Sequence, residues 1–177
     1  MKNTEDSVLK IFFAENHQAA YIGGTTLQFN YLPAYSQFLL ENKVEEFALE
    51  QLHISREIGV PLLRYFKTMP EAELKEIVIL SAKKLLQFFS ENKVKEFIDQ
   101  SLQSWIANNI PFMQHYEIVA QDISMVSFVR RKVFRDFLPQ YSSDIHMYIK
   151  VMEEVDRFTI EVEQRCYQTL FVQYVRG

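Results

Sequence analysis

Glycine and proline are scarce in this 177-residue sequence, at four and five residues, and cysteine occurs once. Sheet proteins use glycine and proline at their many turns, so the shortage points away from an all-β fold and toward helices. The single thiol, Cys166, cannot close an internal disulfide, and the N-terminus lacks the basic flank and apolar stretch of a secretion signal. A reducing cytoplasm is the expected setting. Long apolar runs are missing as well: Ile77-Val78-Ile79-Leu80 ends at Ser81, far short of the roughly 18 residues a spanning helix needs. Excess charge of one sign is also lacking. Nineteen basic and 23 acidic residues leave a formal charge of −4, with the two signs interspersed. Such a chain has no field to gather nucleic acid or anionic lipid, so neither nucleic acid nor membrane is an expected partner.

Recognisable reaction chemistry is equally sparse. The four histidines, His17, His53, His115 and His146, include no pair at the four-residue spacing that sets two metal ligands on one helix face, so no metal site is expected. Cys166 has no neighbouring histidine to activate it and reads as an inert, buried thiol. The carboxylate pairs Glu45-Glu46 and Glu153-Glu154 have lysines nearby and read as polar helix faces, not acid–base pairs. No phosphate-binding glycine loop and no serine-nucleophile turn is present. No catalytic residue is assigned.

What the sequence does have is apolar residues at helical spacing. At 48% hydrophobic content, with 15 Phe and 9 Tyr, residues 1–177 can bury one core rich in aromatic rings, so a single domain is expected. Leu74, Ile77, Val78, Leu85, Leu86 and Phe89 form one stripe, and Thr68 with Glu71 has the spacing of a capping box, which predicts a helix from about Pro70 to Ser90. Ile123, Val126, Val129, Val133, Phe134 and Phe137 form a second, expected to start after Asp122 as cap and to end at Pro139. Arg130, Arg131, Lys132 and Arg135 are assigned to its solvated face. Residues 44–67 read as helical with a break at Gly59-Val60-Pro61, and residues 92–108 as a further helix. Residues 1–30 read as an N-terminal helix and a loop. Residues 144–177 read as one long terminal helix, a candidate signalling helix, with Val155, Phe158 and Val162 packing against the body or a partner subunit.

One short motif recurs. "ENKVEEF" at 41–47 returns as "ENKVKEF" at 91–97, and "AENH" at 14–17 is a weaker third copy. Only these junctions resemble one another, which excludes a solenoid of true repeats. Asn16, Asn42 and Asn92 are expected at helix boundaries, because asparagine tolerates left-handed backbone geometry there. Breaks every 24 to 26 residues or so imply an all-α, globin-like bundle of about six or seven helices.

The stretch "VRRKVFRDFLPQY" at 129–141, followed by "EEVDRF" at 153–158, resembles the closing helices of the globin-like N-terminal sensor domains of bacterial sensor histidine kinases. Those domains are similar to the haem-free globin domain of stressosome sensor proteins. The resemblance implies a cytoplasmic input domain that forms a homodimer, needs no cofactor, and signals through its terminal helix to a kinase or other output module. The chain contains no phosphoacceptor-histidine region and stops within a helical pattern, so the expectation is an excerpt of a longer protein. The alternative is a haem-binding globin-type sensor using His115, which lies where a globin-like chain could present a haem ligand.

Overall fold

A computed structural model of the chain describes residues 27–106 and 119–170, and among them there are six α-helices, one 3-10 helix and no strand. The helices are α1 (Leu32–Asn42), α2 (Val44–Glu57), α3 (Glu71–Ser90), α4 (Val94–Ile106), α5 (Ala120–Tyr141) and α6 (Ile145–Leu170), with the 3-10 helix at Pro61–Phe66. This is an all-α bundle of the expected size, and its last described helix is its longest, at 26 residues.

Aromatic rings fill the centre. Phe89 of α3 stacks nearly parallel on Phe134 of α5 at 5.8 Å and meets Phe158 of α6 edge-on at 4.7 Å. Phe47 of α2 meets Phe134 at 5.0 Å, and Phe97 of α4 lies 6.2 Å from Phe89. Ring pairs in such edge and offset geometries add about 0.5–1.5 kcal/mol each beyond the area they bury. Tyr35 of α1 is also fully buried, and its hydroxyl donates to the carbonyl of Phe134 at 2.6 Å. Burial pushes its phenol above the ordinary range, with Tyr148 and Asp136 adding to the effect. It therefore stays a neutral donor. One ring-filled core thus joins all six described α-helices.

The two copies of the ENKV motif both precede helices, α2 and α4, yet their asparagines differ. Asn92 has φ 56 and follows α3 in a Schellman turn: its N–H bonds the carbonyl of Phe89 at 3.0 Å, and that of Lys93 bonds Phe88 at 2.7 Å. Asn42 is the last residue of α1, without positive φ, and its side-chain amide donates to Phe38 at 2.9 Å. There the chain turns on Lys43 alone, whose N–H reaches Leu39 and whose carbonyl accepts from Phe47, both at 2.8 Å. Asn16 lies outside the described residues.

Three local expectations need correction. Thr68 and Glu71 form no capping box: Pro70 is itself the cap residue of α3, without a side-chain cap bond, and Glu71 instead pairs with Arg56 at 2.6 Å. Asp122 is not the cap of α5 but its third residue, accepting the N–H of Val119 at 3.1 Å. Pro139 does not end α5, which runs on to Tyr141, because a proline this near the C-terminus forfeits only one ladder bond. The break after α2 falls where expected, with Gly59 at φ 69 closing a second Schellman turn.

Candidate functional site

The terminal helix α6 has two faces. Val151, Val155 and Phe158 are fully buried in the chain's own core and Cys166 nearly so, with Val162 half-buried beside them. Val155, Phe158 and Val162 therefore pack on the body, the first of the two roles considered for them. On the far side of the helix Ile145, Ile149 and Ile160 are 63%, 45% and 54% exposed. Their spacings of four and eleven fall about 40° and 20° past whole turns and place them on one side of the helix, with Glu153 and Asp156 on that side between Ile149 and Ile160.

The neighbouring helix adds to this side. Arg131 of α5 pairs with Asp156 of α6 at 2.6 Å, and Ser124 shares a hydrogen bond with Tyr167 at 2.8 Å, which fixes the two helices antiparallel. Between those two contacts Phe128, 51% exposed, stands at the level of Ile160. Exposed apolar side chains thus recur along this side of α6 and onto α5, with Glu153 and the Arg131–Asp156 ion pair set among them. Scattered single apolar residues on a surface are ordinary, whereas a set sharing one side is a mark of an interaction face.

The body-facing side of α6 also holds a buried carboxylate. Glu154, 6% exposed, accepts three backbone N–H groups, from Asn30 at 2.7 Å, Tyr31 at 2.9 Å and Leu32 at 2.7 Å. These are the unpaired amides at the start of α1, which has no cap bond from its own Tyr31. A carboxylate there also faces the positive end of the α1 dipole. Beside it Asn92 accepts the N–H of Phe29 at 3.0 Å and donates to the carbonyl of the same residue at 2.8 Å. The segment from Phe29 to Leu32 is therefore pinned to α6 and to the turn after α3. The assignment of Glu154 to a solvated polar face was wrong: one of the two adjacent glutamates, Glu153, does face water and pairs with Lys150 at 3.0 Å.

Arg130 needs the same kind of correction as Glu154, away from a solvated face. It belongs to the core-facing side of α5, half-buried, with its guanidinium 5.9 Å from the centre of the Phe97 ring. Arg131, Lys132 and Arg135 do lie toward the surface and pair with Asp156 and Asp136.

Among the described residues no group of three or more His, Cys, Asp or Glu side chains is placed to hold a metal ion. His53 and His146 are exposed, on α2 and α6. His17 and His115, the latter the alternative haem ligand, lie outside the described residues. Burial pushes the Cys166 thiol up to about 12, leaving it protonated and a poor nucleophile at neutral pH. A surface groove of about 470 Å3 lies between α3 and α4, lined in part by Leu80, Lys84, Phe88 and Glu96. Its remaining carboxylate, Glu91, is paired with Lys93 at 2.7 Å. No helix among the described residues is long and apolar enough to cross a membrane.

No protein-family model matches the chain, and no curated protein or solved structure matches it either. What the chain does must follow from its own geometry.

Proposed function

We propose that this chain is a sensory or regulatory domain of a bacterial signalling protein, without catalysis of its own. It pairs with a second copy through the outward face of α6 and passes a change in that helix to an output module, in the first place a histidine kinase. The observation that carries this reading is the set of exposed Ile145, Ile149 and Ile160 opposite a fully buried Val151, Val155 and Phe158. A helix that keeps three isoleucines exposed opposite its buried side has the latter satisfied by its own body and the former left for a partner.

A second copy is the occupant that the surface chemistry favours. In a two-fold contact the same patch meets itself, so the exposed isoleucines and Phe128 of one copy can cover those of the other, while each copy keeps its own Arg131–Asp156 pair at the rim. The mechanism needs two arrangements of the terminal helices that differ in contact energy, since a signal shifts an equilibrium only by its differential affinity for the two states. Glu154 couples such a shift to the rest of the fold. Any sliding of α6 by a fraction of a turn moves the acceptor of three backbone amides at the start of α1.

The test is functional. Joined upstream of a histidine-kinase catalytic core, the parent chain is expected to set the autophosphorylation level, and Ile149→Asp with Ile160→Asp to change it several-fold. A kinase whose activity ignores both substitutions, with the fusion folded, contradicts the reading.

A further inference from the structure

The stripe that α5 turns toward the body comprises Ile123, Val126, Val133, Phe134 and Phe137, and Arg130 stands in its middle. It is four residues from Val126 and from Phe134, and seven from Ile123 and from Phe137. In a helix those spacings share one face. The position is one where an aliphatic residue would normally pack.

Three helices surround the guanidinium. Phe97 of α4 presents its ring at 5.9 Å, and Cys166 of α6 is near enough for the two groups to influence each other's charge. Burial pulls the guanidinium below its ordinary proton affinity, with Cys166 opposing that effect. Among the described residues no carboxylate pairs with it. Asp99 of α4 and Glu161 of α6 are both engaged by Arg165, and Asp156 by Arg131. A half-buried guanidinium that meets a ring face and, among the described residues, no carboxylate keeps its donors open to a counter-charge from outside.

We propose that Arg130, with Phe97 and Cys166, forms a binding site between α4, α5 and α6 for a small organic monocarboxylate. The planar guanidinium offers two parallel N–H donors, which match the two oxygens of a carboxylate. One cation balances one negative charge, so a monoanion fits and a phosphate dianion would remain uncompensated. The ring of Phe97 and the half-buried Val126 and Val162 provide an apolar setting for a short hydrocarbon tail. The residue's own partial exposure gives the ligand a path in.

This inference stands apart from the pairing of two copies, because carboxylate binding is read on the full chain whatever its oligomeric state. Thermal unfolding is followed in sodium acetate, butyrate and benzoate, each against sodium chloride at equal concentration. Expected is a saturable rise in Tm with at least one carboxylate beyond that with chloride. Arg130→Met is expected to weaken the apparent affinity at least tenfold, and Arg130→Lys, which keeps the charge but loses the fork, to weaken it less. Chloride acting as strongly as every carboxylate overturns the proposal, as does a response that Arg130→Met leaves intact. Should Arg130→Met not fold, Arg130→Lys decides: an unchanged carboxylate affinity there also overturns it.

Discussion

The carboxylate of Glu154 accepts the backbone N–H of Leu32 at 2.7 Å across 122 positions of sequence. A residue in the terminal helix thereby caps the first described one, a task usually done by a serine or aspartate beside the helix it serves. The bond is charge-assisted and lies in a buried setting, where a lost acceptor leaves amides without partners. Fold and proposed signalling helix meet at this contact.

Replacing Glu154 tests that link. Glu154→Ala strands the amides of Asn30, Tyr31 and Leu32 and is expected to cost about 3 kcal/mol of stability. Glu154→Gln keeps one acceptor oxygen but loses the charge that faces the α1 dipole, and should cost about half as much. Urea unfolding of the three proteins measures both. Equal stability of Glu154→Ala and parent would contradict the capping role.

Asn92 and Asn42 offer a matched comparison, since each stands in the same four-letter motif. Asn92→Ala loses two hydrogen bonds to Phe29 and places a Cβ-bearing residue without a local hydrogen-bonding side chain at φ 56. The expected loss is about 2 kcal/mol. Asn42→Ala removes one exposed bond to Phe38 and should stay within about 0.5 kcal/mol. Similar losses at the two positions would mean that the motif acts only as local punctuation.

The helices were legible in the sequence because their signal is periodic and repeated: six apolar positions from Leu74 to Phe89 specify α3 without help from elsewhere. The junctions were legible through Asn92 and Gly59, whose backbone freedom is a property of the residue itself. Glu154 was not, because nothing local distinguishes it from Glu153. Which of two adjacent glutamates is buried depends on α1, more than a hundred residues away. Arg130 misled for a related reason: a run of Arg130, Arg131 and Lys132 reads as one polar patch, although consecutive residues on a helix point about 100° apart. Its spacing from Val126 and Phe134 was the available clue. For the outward face of α6, Ile149 and Ile160 were visible as apolar residues off the Val155, Phe158, Val162 seam, and a second stripe on the same helix was the signal to look for.

Lys84 gives a prediction in pH. Burial pulls its ammonium from the ordinary 10.5 down to about 8, while the Phe88 ring lies 5.6 Å away. Below pH 8 the folded and unfolded chains both carry the charge, and the folded state bears the burial cost in full. Between about 8 and 10.5 the unfolded chain holds the proton that the folded chain has released, so this residue's contribution to stability rises with pH. Lys84→Met should therefore be more stable than the parent at pH 7, with the advantage shrinking as pH approaches 10.5. Urea unfolding of both proteins at pH 7, 9 and 10 checks the convergence. A constant difference across that range would rule it out.

Pairing through the outward face of α6 is the central claim, and sedimentation velocity over a range of concentrations tests it most directly. Phe158 is unsuitable for the purpose, because at 1% exposure it belongs to the core, and a charge there reports on folding. Ile149→Asp with Ile160→Asp alters only the surface. The account predicts a parent chain that sediments as a dimer and a double variant that sediments as a monomer with an unchanged helical circular-dichroism spectrum. A parent that stays monomeric at high concentration, or a double variant that remains dimeric, would contradict it.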